Sequence, residues 1–116
     1  MSKTDLMHYK GYYGSVSFDE TQELFYGKLE FIRDLVNFEA TDAKTLIEEF
    51  HNSVEEYLED CAIHNKMPDR PFKGSFNVRI DPELHRKASI HAIKHDNSLN
   101  KIIVLALEEF ILKYSN

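Results

Sequence analysis

Near its C-terminal end the chain carries Ile102-Ile103-Val104-Leu105-Ala106-Leu107, an unbroken apolar run inside a segment with helix-forming composition. Ser98 stands ahead of it as a cap, so the spacing predicts a helix from Leu99 to about Tyr114 that is apolar on every side. Such a helix must be buried all round, and the residues before it supply too little cover. Residues 74–80 alternate, with Phe76, Val78 and Ile80 on one side and Ser75, Asn77 and Arg79 on the other, which predicts a strand. Asp81 and Pro82 offer a capping carboxylate and a proline at the first helical position, predicting a helix to about His95 that Asp96 and Asn97 end. One strand and two helices, about 46 residues, cannot enclose the last helix, so a second copy of the chain is expected to cover it.

The whole chain has 116 residues, 42% hydrophobic and 29% charged, which excludes collagen and disorder and suits one domain or two very small ones. A single cysteine, Cys61, cannot form an internal disulfide and fits a reducing compartment. No apolar run approaches membrane-spanning length, and MSKTDLMHYK lacks the apolar core of a signal peptide, so a cytoplasmic protein without a membrane partner is expected. The net charge of −6 argues against nucleic acid, but it averages two unlike halves. Up to Arg70 there are 7 Lys and Arg against 15 Asp and Glu, a balance of −8; from Pro71 onward there are 7 against 5, a balance of +2. Met67-Pro68-Asp69-Arg70-Pro71 separates them, two prolines making a short stiff connector, so domains are expected at residues 1–70 and 71–116.

In the acidic half, residues 10–18 alternate, Tyr12, Gly14, Val16 and Phe18 against Tyr13, Ser15 and Ser17, as a half-buried strand does. The polar turn Asp19-Glu20-Thr21-Gln22-Glu23 leads into a second extended segment with Phe25, Gly27, Leu29 and Phe31 on one face, completing a hairpin. After a turn near Arg33-Asp34, Leu35-Val36-Asn37-Phe38-Glu39 reads as a third strand, and Thr41 or Asp42 caps a helix from Ala43 to about Asn65. Its inner face is Leu46, Ile47, Phe50, Val54, Tyr57, Leu58 and Cys61; Glu48, Glu49, Glu55, Glu56 and Glu59 lie mostly outside. The expected fold is α+β: a three-stranded antiparallel sheet with one helix, then strand, helix, helix.

Strand, capped helix, short turn and capped apolar helix, with Ser75, Asn77 and Arg79 on the strand's polar face, resemble a ribbon-helix-helix DNA-binding unit. In that family two chains pair their strands antiparallel and lay the ribbon in the major groove. Arginine presents two donors to guanine, asparagine both gives to and takes from adenine, and serine does either, so Ser75, Asn77 and Arg79 are the candidate base contacts. Ser98, Leu99 and Asn100 resemble the family's second-helix start, whose free backbone donors hold a phosphate, with Lys101 and Lys73 as added charges. The resemblance implies a dimer core of Phe76, Val78, Ile80, Ile102, Ile103, Ala106 and Phe110. Where the family has glycine and then an apolar residue at the turn, this chain has Asp96 and Asn97, both tolerant of left-handed backbone.

The first half is similar to the HicB antitoxins, in the branch with a ribbon-helix-helix tail. The residues are Tyr9-Lys10-Gly11-Tyr12-Tyr13-Gly14-Ser15-Val16, Phe25-Tyr26-Gly27-Lys28, Ile32-Arg33-Asp34-Leu35-Val36-Asn37-Phe38-Glu39, the acidic helix, and Pro71-Phe72-Lys73-Gly74-Ser75-Phe76-Asn77-Val78-Arg79-Ile80. The resemblance implies a partial ribonuclease H-like fold that masks a small ribonuclease toxin, in a protein that represses its own operon as a homodimer, or a tetramer of paired dimers, on double-stranded operator DNA. Charge agrees independently, because a toxin that grips messenger RNA should be basic and an acidic domain attracts it. The alternative is a stand-alone repressor with no toxin, its first domain sensing a ligand or metal.

An enzyme is not expected. Two-metal nucleases need converging carboxylates, whereas Asp19, Glu20 and Glu23 share a solvated turn and Asp34 lacks a carboxylate partner. Cys61 with His64, and His91 with His95, sit at helical spacing that permits shared ligation, but two ligands fall short of a structural metal site, so neither metal nor cofactor is expected. Tyr12, Tyr13 and the other strand aromatics read as core and hairpin surface, since a base-stacking platform would not be set among acidic residues.

Overall fold

The computed structural model describes residues 5–115 and separates into two compact units, one ending at Ser75 and the other beginning at Phe76. The division falls five residues beyond the proline-marked boundary, because residues 66–73 are bonded back onto the first unit.

The first unit is an antiparallel sheet of five strands backed by one helix: β1 (Met7–Tyr9), β2 (Tyr12–Gly14), β3 (Ser17–Asp19), β4 (Leu24–Glu30), β5 (Asn37–Ala40) and α1 (Ala43–Ile63). Three strands were expected, and two features account for the difference. The first is β1, joined to β2 by Lys10-Gly11, both at positive φ (51° and 82°), the two-residue hairpin loop whose twist matches its strands. The second is a local break in residues 10–18. β2 and β3 meet β4 in one continuous register, Gly14 opposite Leu29 and Ser17 opposite Tyr26, but between them the Lys28 N–H donates to the Ser15 hydroxyl at 3.1 Å. The Ser15 carbonyl instead presses on Gly27, where a Cβ would lie only 1.8 Å from it.

β4 is central, with β2 and β3 along one side and β5 along the other. The core lies between sheet and helix: Tyr12, Leu29, Phe38 and Ala40 from the strands against Leu46, Phe50, Val54, Tyr57 and Cys61 from α1. Three inward assignments from the periodicity are corrected. Phe18 keeps its parity but is exposed, its ring tilted against that of Phe25 with centroids 5.1 Å apart; Phe31 has left the strand at φ 65°; and Ile47 faces water. Asp42 caps α1, its Oδ1 accepting from the Thr45 N–H at 2.8 Å. The helix closes in a Schellman turn, with Asn65 left-handed at φ 54°, the Lys66 N–H donating to Cys61 O and the Asn65 N–H to Ala62 O.

The second unit holds α2 (Pro82–Lys94) and α3 (Leu99–Tyr114). The turn between them is also a Schellman motif: Asp96 takes the left-handed position at φ 54°, and the Asn97 N–H reaches Ala92 O at 2.8 Å. Ser98 caps α3 by accepting from the Lys101 N–H, whereas the Asp81 carboxylate makes no cap bond and Pro82 alone marks the start of α2. The strand expected over 74–80 is not formed. A strand exists only by its ladder, and no backbone group of residues 75–80 bonds to another described residue. No described helix is long and apolar enough to cross a membrane.

The Ser15–Gly27 approach gives a sharp test. Gly27→Ala must push the two strands apart, and urea unfolding of the first unit is expected to show a loss of about 1–3 kcal/mol or more.

Candidate functional site

Residues 75–80 keep the alternation read from the sequence, and all six are exposed. Phe76, Val78 and Ile80 present 71%, 59% and 43% of their surface, far more than apolar side chains of a settled core. In the second unit Ala92 is the one buried residue among those described, with Ala88, Ser89, Leu99 and Ile102 half-buried around it. Of the expected dimer core, Ile102 is thus partly enclosed by the chain itself, while Phe76, Val78, Ile80, Ile103, Ala106 and Phe110 face outward. Ser75, Asn77 and Arg79 make no side-chain hydrogen bond to a described residue, so their donors and acceptors remain available.

At the start of α3, Asn100 and Lys101 are exposed, and the Ser98 hydroxyl is engaged as the cap. Lys73 is committed elsewhere: its ammonium lies 2.7 Å from the Asp69 carboxylate. The His91 ring packs on that of His95, the residue that caps the C-terminus of α2, with centroids 4.1 Å apart. Cys61 is in the core, and the His64 Nδ1 sits 2.9 Å from the Asp60 carbonyl. No group of three or more ligating side chains converges among the described residues.

Sequence reasoning passed over Asp69, which is buried and holds the end of the first unit in place. Its carboxylate accepts from the Arg33 backbone N–H at 2.6 Å and from Lys73, and lies 3.4 Å from the Arg33 guanidinium. Its main chain takes part as well: the carbonyl accepts from the Tyr12 hydroxyl at 2.6 Å, and its N–H donates to the Tyr57 hydroxyl at 2.8 Å. Tyr57 in turn donates to Asp34 at 2.6 Å, which also holds Lys66 at 2.8 Å. Lys73 and the Arg33 N–H hold the Asp69 carboxyl well below the usual carboxylate range; Lys66 and then Tyr57 lower that of Asp34. Burial, reinforced by the bond to Asp34, pushes the Tyr57 phenol upward. Beside this network Phe31 and Phe72, left-handed at φ 65° and 61°, pack on each other and on Tyr13 with centroids 5.0 to 5.8 Å apart. Left-handed backbone at two phenylalanines stores strain that their mutual contact offsets.

Between α1 and the segment that leads into β5 runs an open groove of about 700 Å³, bordered by Asp34, Val36, Asn37, Glu56, Tyr57 and Asp60 among others. Asp34 is thus shared between the network and the groove.

Removing the hydroxyl in Tyr57→Phe leaves the buried Asp69 N–H without an acceptor, and a loss of about 1–3 kcal/mol is expected on urea unfolding. Acidification supplies a second check. Carboxyls with lowered folded-state pKa stabilise fully above their ordinary value near ~3.9 and progressively less as pH falls below it. The unfolding midpoint of the first unit should therefore decline below about pH 4, and Asp69→Asn should flatten that decline while lowering the neutral-pH midpoint.

The family model for HicB, the HicB family, matches residues 57–107, a span from the last turns of α1 through Asp69 and residues 75–80 into α3. No curated protein and no solved structure gives a match. Over residues 57–107 the chain is similar to the HicB family, and that match supports a HicB-type protein.

Proposed function

We propose that the chain is an antitoxin of HicB type: a homodimer that binds operator DNA through a two-stranded ribbon of residues 75–80 and masks a small basic ribonuclease toxin with its acidic first unit. It works by binding and not by catalysis. The observation that carries the reading is the state of residues 75–80, an alternating segment with an apolar side and a polar side, no ladder partner, and an apolar helix α3 exposed in the same unit. Pairing with the same segment of a second chain would supply the missing ladder and bury Phe76, Val78 and Ile80 against Ile103, Ala106 and Phe110. Ser75, Asn77 and Arg79 would then line the outer face of the ribbon, where base edges are read. The proposed first unit is a partial ribonuclease H-like fold, and its charge suits a basic partner. The similarity to the HicB family agrees with an antitoxin role.

DNA binding is opposed by the acidic units and rests on few cations per chain, so operator affinity should fall with salt only in proportion to that small number of phosphate contacts. Arg79→Ala is expected to cost about 1–3 kcal/mol of discrimination between operator and unrelated DNA while the dimer persists; unchanged discrimination overturns the ribbon assignment. Phe76→Asp places a charge in the shared core and should yield monomer by sedimentation. For the toxin, the tagged chain purified from its native host should carry a stoichiometric small basic protein whose ribonuclease activity appears once the chain is removed. A homodimer without such a companion favours the stand-alone repressor.

A further inference from the structure

β5 lies at the outer side of the sheet and pairs with β4 alone among the described strands. Its register with β4 and the bond from the Leu29 N–H to Val36 O at 2.9 Å fix which backbone groups look outward. In an antiparallel ladder the bonded pairs alternate, so Val36, Phe38 and Ala40 turn their N–H and C=O groups to β4, and Leu35, Asn37 and Glu39 turn theirs away from the sheet. None of those outward groups bonds to a described residue. Such an edge is a template for another strand, and this one carries neither the proline nor the lysine that commonly blunts edges.

The groove beside the edge selects the kind of strand. On its helix side stand Glu56 and Asp60, and Asp34 lies in the turn that leads into β5, with Lys66 already engaged by Asp34 and His64 beside Asp60. Glu56 makes no ion pair among the described residues. A second copy of β5 would set Glu39 and Glu56 against their own kind, and a nucleic acid would meet the same repulsion. The geometry points to an extended basic segment of a partner protein that adds to β5 as a further strand. Its outward main-chain bonds go to Leu35, Asn37 and Glu39, and lysine or arginine side chains at alternate positions reach Asp34, Glu56 and Asp60. The inference rests on the proposed function in so far as that partner is the toxin.

The test uses the full chain, isotope-labelled, and an end-blocked hexapeptide alternating lysine and threonine, with a glutamate–threonine peptide as control. Saturation with the lysine peptide should slow hydrogen exchange at the Leu35, Asn37 and Glu39 amides at least tenfold. Phe38 and Ala40, already bonded to β4, should change little, and the control should do nothing. Asn37→Pro deletes an outward donor without touching the β4 ladder and should weaken binding at least tenfold; the exposed charge reversal Glu56→Lys should do the same should the proline variant fail to fold. Perturbation confined to Glu48, Glu55 and Glu59 on the far side of α1, or none at β5, overturns the inference. The companion protein of the preceding section is the second probe. Protection of the same three amides by it supports the groove, and protection elsewhere overturns the groove while the antitoxin reading stands. Peptide binding at β5 without any companion keeps the groove and removes the antitoxin.

Discussion

Asp69 is the point on which the first unit closes. Pro68 and Pro71 on either side keep its backbone out of any helix, so its main-chain groups cannot be satisfied locally once it is buried. The Tyr12 and Tyr57 hydroxyls meet that need from two different elements, and the carboxylate meets the reverse need of the Arg33 N–H in the turn after β4. From there Tyr57 passes the connection to Asp34, so two buried or half-buried acids each keep a lysine, Lys73 and Lys66. A buried charge is tolerated only when its partners are this complete. The strap of residues 66–73, the β4–β5 turn, the first hairpin and α1 are therefore one cooperative piece.

Much of this fold was legible because its signals are local. Asp42 and Ser98 as caps, the 3.6-residue periodicity of α1, and the tolerance of Asp96 for left-handed backbone all act within a few residues, and the helices lie where those signals put them. The parts that escaped are long-range or depend on partners. Nothing near Ser15 announces that its carbonyl will face Gly27, and nothing near Asp69 announces partners at positions 12, 33 and 57. The hairpin of β1 and β2 did leave a trace, the Lys10-Gly11 pair between Tyr9 and Tyr12, but lysine is an unusual occupant of the first loop position, where asparagine is the stronger signal. Residues 75–80 show the converse: the alternation is plain in the sequence, yet secondary structure follows only if a ladder partner is present.

The two units differ in how far they complete themselves. The first buries a contiguous cluster from four of its elements and leaves acid on its outer helix face. The second packs two helices on Ala92 and leaves Ile103, Val104, Leu105, Leu107, Phe110 and Ile111 of α3 exposed. The uneven charge follows nearly the same division, acidic up to Arg70 and slightly basic from Pro71 onward.

Cys61, the sole cysteine of the chain, lies in the last turns of α1 against the sheet, nearly without exposure. A thiol reacts as its thiolate and only where reagent can reach it, so its capture must wait until α1 parts from the strands beneath. The native sequence thus contains its own recorder of that motion. The pace of alkylation counts the openings of one unit, whatever the other is bound to, and no label need be introduced to read it.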